Sequence, residues 1–273
     1  MAAKKKAAKK KSAAKAPRAA AARKVPKAAP AVAKAAEKNA KRPAKGARVR
    51  KGAVVAPAAK ERRPGRPVLH GLWLSIPACK VGLALAMMGV AFDYRHVDLM
   101  SGASKTAAFL AKNRFGQVPV LEHDGHFIAQ SNVILQYLAD TYEKFAGRSA
   151  AEEIRIAEWL QWDQDRMPAI NTARFLLRFQ KAAADDPVVA FMSARATQAL
   201  DLLDRHLGTS KFVAGSQPTV ADIAIFCTVA IADEAGLQIA RWPNVQGWAE
   251  RIMKLPGASH PYGAMPREDR DAA

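Results

Sequence analysis
Two serines stand where the chain could offer backbone amides to an anion. Ser131 opens a run in which Val133, Ile134, Tyr137, Leu138 and Tyr142 fall on one helical face. A helix start carries unpaired N–H groups and the positive end of the dipole. With a hydroxyl added, Ser131 is a ready carboxylate site as well as an ordinary N-cap. Ser75 ends an apolar stretch and precedes Pro77, a residue suited to a first helical turn. Cys79 follows within that turn and reads by its surroundings as a small core residue. Cys79 and Cys227 are the only cysteines, so there is no disulfide framework and no metal-binding spacing, and a reducing compartment is expected. The six histidines have no ligand spacing either. Glu152, Glu153, Asp163 and Asp165 read as the wet face of a helix, neither a metal site nor a catalytic carboxylate pair.

These residues need a scaffold. Val68–Leu74 is a short apolar run expected as a strand, and Val81, Leu85 and Met88 then recur at helical spacing up to Gly89, a natural C-cap. Phe92 to Leu99 alternates as a second strand. Phe109-Leu110 belongs to a short helix. Val118–Leu121 and His126–Ala129 flank Asp124-Gly125, a hairpin signal. With the Ser131 helix the order is β-α-β-α-β-β-α, that of a thioredoxin-like domain. From residue 151 onward the pattern is helical. One long helix is expected from Ile154 towards Leu177, another starts at Asp186-Pro187, and Thr219-Val220-Ala221-Asp222 has the form of a capping box.

The charge is unevenly placed. The 273 residues hold 43 Lys+Arg and 24 Asp+Glu, a net of +19. Residues 1–68 contain 23 of those basic residues and two of the acids, a net of +21, so the remainder carries −2. A uniformly basic nucleic-acid-binding domain is thereby excluded. Residues 1–66 are mostly Lys, Ala, Arg and Pro with no aromatics, a composition expected to stay disordered and similar to linker-histone tails. Such a tail would bind nucleic acid or another polyanion non-specifically and with strong salt dependence. Arg63-Pro64-Gly65-Arg66-Pro67 is similar to a minor-groove AT-hook with Pro64 in place of the first arginine, and reads more simply as a stiff Pro-rich linker. No apolar run is long enough to span a membrane, and the Ala/Lys start lacks the apolar core of a secretory signal.

Three stretches in order resemble the glutathione transferase superfamily: Ser75-Ile76-Pro77-Ala78-Cys79-Lys80-Val81, Phe109 through Asn113-Arg114-Phe115-Gly116-Gln117-Val118-Pro119-Val120-Leu121, and Gln130-Ser131-Asn132-Val133-Ile134. The resemblance spans about residues 67–258. It implies a thioredoxin-like α/β N-terminal domain and an all-α C-terminal domain, here preceded by the basic tail. The implied boundaries are 1–66, 67–146 and 150–265, with 266–273 a short tail. It implies glutathione as co-substrate and no metal. Gln117, a cis Val118-Pro119 bond, Gln130 and Ser131 would bind the tripeptide, with Lys105 or Lys112 meeting its glycine carboxylate. Ser75 would stabilise the thiolate, with Cys79 the alternative as a reactive thiol. Trp162 and Arg166 would face the electrophile. Arg114 and His70 depart from the usual Pro and Tyr, and Gln130 replaces the usual acid.

The implied activity is conjugation of the glutathione thiolate to an electrophilic small molecule, detoxification chemistry in a cytoplasmic homodimer. The nucleoid is a second location that the tail could impose. The alternatives are a glutathione-dependent thiol/disulfide reductase using Cys79, and a non-catalytic module of the same fold tethered to nucleic acid by the tail.

Overall fold
The computed structural model describes residues 64–272, so the tail expected to be disordered lies, but for its last three residues, outside the described residues. Strand β1 (Val68–Gly71) leads into helix α1 (Ile76–Met88), then β2 (Asp93–His96), α2 (Ala107–Lys112), β3 (Val120–His123), β4 (His126–Ala129) and α3 (Ser131–Tyr142). The sheet order is β2-β1-β3-β4. β1 runs parallel to β2 and antiparallel to β3, and β3 pairs antiparallel with β4. This is the expected thioredoxin-like half.

The departures have local causes. β1 stops at Gly71, short of Leu74, because residues 72–75 turn, with the Ser75 amide donating to the Leu72 carbonyl at 2.9 Å. β3 starts at Val120, directly after Pro119, which has no N–H to give a ladder. Asp124 and Gly125 both have positive φ, 47° and 81°, the pair of values a type I′ hairpin turn requires. Val133 was expected on the inner face of α3 but is exposed. The buried set is Ser131, Asn132, Ile134, Leu135, Leu138 and Ala139, a 3–4 spacing that leaves Val133 on the outside.

α1 is apolar on all sides and buried on all sides, as a helix flanked on both faces must be. It packs against β1, α3 and α7 (Val220–Val229), and so joins the sheet to the helical half. Gly89 ends it at φ 67°, donating to the Leu85 and Ala86 carbonyls. The helical half comprises α4 (Ala150–Arg166), α5 (Pro168–Arg174), a π turn (Phe175–Phe179), α6 (Pro187–Leu207), α7 and α8 (Pro243–Met253). The single helix expected from Ile154 to Leu177 is divided at Pro168, which can supply no amide to a continuous ladder. Asp186 caps α6, its Oδ1 accepting from the Val188 and Val189 amides. A continuous apolar core runs from Leu69 in β1 to Ile252 in α8.

Both ends of the described chain are stitched to the sheet. The Gly65 amide donates to Asp124 Oδ1 at 3.0 Å, and the Gly65 carbonyl lies 2.7 Å from His123 Nε2. Asp93 N donates to the Pro67 carbonyl. Residues 65–67 are thus a docked linker rather than a free minor-groove reader, while Arg63 lies outside the described residues. At the other end Arg270 pairs with Tyr94 across the outer edge of β2, with N···O distances of 2.7 and 3.0 Å.

Candidate active site
One cleft, of about 460 Å³, gathers residues from five parts of the chain: Ser75 and Pro77 at the start of α1, Leu99, Ser104 and Lys105 after β2, Gln117–Pro119 before β3, Gln130 and Ser131 at the start of α3, and Gln164 on α4. All five expected tripeptide-binding residues line it, as does Ser75.

Each is placed by its backbone. The Val118–Pro119 peptide is cis and stands just ahead of the β1–β3 ladder, which ends at the His70–Val120 pair. Gln117 is exposed on a loop braced from below by the buried Asn113. The Asn113 Nδ2 donates to the Gln117 carbonyl at 2.7 Å, and its Oδ1 accepts from the Phe115 amide. Gly116 is favoured by its positive φ of 58°, and a Cβ there would sit 3.0 Å from the Ser104 carbonyl oxygen. The Lys105 ammonium donates to the Gly116 carbonyl at 2.8 Å, which fixes Lys105 in the wall of the cleft. Lys112 points elsewhere, to Glu122 at 3.3 Å and over the Phe127 ring. Of the two lysines weighed for the glycine carboxylate, the fold brings only Lys105 to the cleft.

Gln130 is the N-cap of α3 at φ 71° and ψ 114°, a conformation that costs a non-glycine residue of order 1–3 kcal/mol. Its carbonyl accepts the first helical bond, from Ile134, while its exposed side chain lines the cleft. Ser131 follows, largely buried, with the opening amides of α3 around it. Ser75 is the N-cap of α1, yet its side chain makes no bond to the helix, so the hydroxyl is not used up by capping.

Cys79 lies in a different environment. It is fully buried, its Sγ donates to the Trp73 carbonyl at 3.1 Å, and burial pushes its thiol up to about 12. A thiol so placed is protonated at neutral pH and closed to a disulfide substrate. Neither Trp162 nor Arg166 lines the cleft. Arg166 pairs with Asp165 at 2.7 Å. Trp162 lines a second cleft of about 640 Å³ on the helical half, where Trp159 stacks edge-on against it and tilts over His206.

Asp163 corrects the expectation of a wet acidic face. It is completely buried, with Lys80 Nζ at 2.6 Å and Asn132 Nδ2 at 3.0 Å. The apolar neighbours of Lys80 in α1 were the available signal, since a lysine buried among them must find a carboxylate. Gln164, Ser104 and Leu99 also line the cleft and had no signal in the sequence, because their side chains reach it only through packing between distant segments. Among the described residues no group of His, Cys, Asp and Glu could hold a metal ion, and no helix is long and apolar enough to cross a membrane.

The glutathione S-transferase N-terminal domain matches residues 68–140, and the C-terminal domain of the same family matches 186–251. A crystal structure of a possible glutathione S-transferase from Rhodopseudomonas palustris is 32% identical, with a TM-score of 0.67 over 72% of this chain and 90% of that one. The chain is also 29% identical to glutathione S-transferase 3 of Zea mays over 209 residues, which is 72% of this chain and 94% of the maize protein. Elongation factor 1-gamma of Artemia salina is 33% identical over 162 residues, spanning 56% of this chain and 35% of that protein. The chain belongs to the glutathione S-transferase family.

Proposed function
We propose that the cleft binds glutathione and that Ser75 stabilises its thiolate for attack on an electrophilic small molecule. The observation that carries this reading is the convergence of Ser75, the Val118–Pro119 turn and the Gln130–Ser131 helix start on one cleft. The amides and hydroxyl at Ser131 suit the γ-glutamyl carboxylate, and Gln130 adds an amide beside it. The backbone at Val118 offers an extended peptide an edge to pair with. Lys105 stands where it can balance the glycine carboxylate. A cysteine thiol near pKa 8.5 is mostly protonated at neutral pH, and each unit of lowering is worth about 1.4 kcal/mol. A hydroxyl donor at the positive end of α1 works in that direction. Attack then forms the carbon–sulfur bond and expels the leaving group, or adds across an activated double bond.

Burial of Cys79 favours this route over disulfide exchange through that cysteine. The test is direct. The chain should be retained on immobilised glutathione. Ser75→Ala should lower conjugation of an aromatic halide about 10²-fold, the scale expected for loss of an oriented donor to a developing charge. Cys79→Ser, which keeps a donor to the Trp73 carbonyl, should leave conjugation intact. Retention without turnover of any electrophile would instead favour a non-catalytic module, the reading to which the elongation-factor likeness lends support.

Two further parts of the reading concern partners. Residues 1–66 are proposed to bind nucleic acid or another polyanion through their charge, so a gel shift should weaken steeply with salt and vanish when they are deleted. A homodimer is proposed because Phe115, Phe127 and Val133 expose apolar surface on the N-terminal half. Sedimentation should give twice the chain mass. Two buried free cysteines and glutathione chemistry fit a cytoplasmic site.

A further inference from the structure
The turn that carries Ser75 is held from behind by the far end of the chain. Met265 is buried between β1 and α1, in a space that two glycines leave open. A Cβ on Gly71 would stand 3.4 Å from Met265 Cε, and one on Gly82 would collide with its Sδ. Two residues on, the Arg267 guanidinium lies 4.6 Å over the Trp73 ring, and Tyr262 meets the same ring edge-on at 5.9 Å. Tyr262 is itself anchored, its hydroxyl bonded to Glu234 at 3.0 Å and to Arg174 at 2.6 Å. Beyond Arg267 the segment is fastened to β2. His96 N donates to Asp269 Oδ1 at 2.6 Å, Arg270 pairs with Tyr94, and Arg95 meets Asp271 at 2.7 Å. The Tyr94 hydroxyl then donates to the Gly71 carbonyl at 2.8 Å, at the end of β1 where the turn begins.

We propose that residues 262–272 form a strap that positions the Ser75 turn, with Met265 and Arg267 as positioning residues of the conjugation reaction. The inference rests on the reading of Ser75 as the thiol-stabilising hydroxyl. The turn has few holds of its own: the Ser75 amide bonds the Leu72 carbonyl, and the Cys79 thiol bonds the Trp73 carbonyl. The strap adds a wedge under Gly71 and a cation over Trp73. Together they set where the Ser75 hydroxyl points. A displacement of about 1 Å at a catalytic group can cost roughly 10²-fold in rate, so even a partial loosening is measurable.

The test uses the full chain with Arg267→Ala, Met265→Ala and, as the conservative rescue, Met265→Leu. Three quantities are read: kcat and KM for glutathione, the pH dependence of thiolate absorbance of bound glutathione, and hydrogen exchange of the amides at 72–76. The strap predicts that kcat falls about tenfold in Met265→Ala and several-fold in Arg267→Ala, while KM stays within about twofold. The apparent pKa of the bound thiol should rise by roughly half a unit or more, and the turn amides should exchange faster. Met265→Leu should restore all three. If both alanine variants melt earlier yet keep the pH profile, kcat and turn exchange of the parent, the strap is merely structural and the proposal is overturned. Absence of bound thiolate in the unaltered chain would sink the glutathione reading instead. Exchange at 72–76 would then still decide whether the strap holds the turn.

Discussion

Asp163 and Asp222 are both closed off from water, and the two regions that bury them do so in opposite ways. Asp163 sits where α1, α3 and α4 meet, beside the cleft, and is held by a charge, Lys80, with Asn132 as second donor. Asp222 sits at the base of α7, away from the cleft, and is held by neutral donors alone. The Val213 amide and Trp248 Nε1 reach its Oδ1 at 2.9 Å, and the Thr219 amide and hydroxyl reach its Oδ2 at 2.9 and 3.0 Å. Every acceptor of Asp222 is used. Among the described residues, Asp163 Oδ1 and Asn132 Oδ1 have no hydrogen-bond partner. The fully satisfied carboxylate is a folding device. The charged and partly satisfied one adjoins residues that line the cleft, Ser131 next to Asn132 and Gln164 next to Asp163.

The sharpest way to break this contrast is to remove one charge. Asp163→Leu leaves the Lys80 ammonium buried and unpaired, and should cost about 3–5 kcal/mol in a denaturant titration. Adding Lys80→Met should recover most of that loss. A double variant as unstable as the single would show that Asp163 acts through Asn132 rather than through charge. Asp222→Ala strands four donors and should cost roughly 3 kcal/mol, without changing turnover per folded molecule. Smaller in stability, about 1 kcal/mol each, are Asn132→Ala and Thr219→Ala, and they separate the regions by function. The first should raise KM for glutathione, because it frees the start of α3 from α4, whereas the second should leave KM unchanged.

The smallest effect is a titration on the sheet beside the cleft. His70 is held below its ordinary value by burial, against the opposing hydrogen bond it makes to the Glu122 carboxylate. Above about pH 6.5 the ring is neutral folded or unfolded and contributes nothing. As pH falls below that, the unfolded chain takes up the proton first, so stability declines towards the lowered native value. The loss should be absent in His70→Gln, read as the difference in melting between pH 7.5 and 5.5.

How much could be read in advance follows the same division. The element order, the Gly89 and Asp186 caps, the Asp124-Gly125 turn and the Thr219–Asp222 box are local, set by residues within a few positions of one another. That Ser75, Val118–Pro119 and Gln130–Ser131 share one cleft was legible only through the family resemblance, since a serine at a helix start is by itself an ordinary N-cap. Asp163 was misplaced, and Trp162 and Arg166 fall outside the cleft, for a shared reason. They lie on α4, and which face of a helix meets which neighbour depends on segments far away in the chain. Cys79 shows the limit most simply. It was read both as a small core residue and as a candidate reactive thiol, and the structure buries it with its Sγ on the Trp73 carbonyl.

The sequence by itself determined the two-part architecture, through local patterning and helix ends, and pointed to the family through three stretches that resemble it. Only the tertiary structure decided which lysine reaches the cleft, that the Cys79 thiol bonds the Trp73 carbonyl, that Lys80 and Asp163 share a buried site, and that residues 262–272 lie against the turn of Ser75. The last two depend on side chains brought together across scores of intervening residues, where packing and desolvation rather than local preference choose the partner.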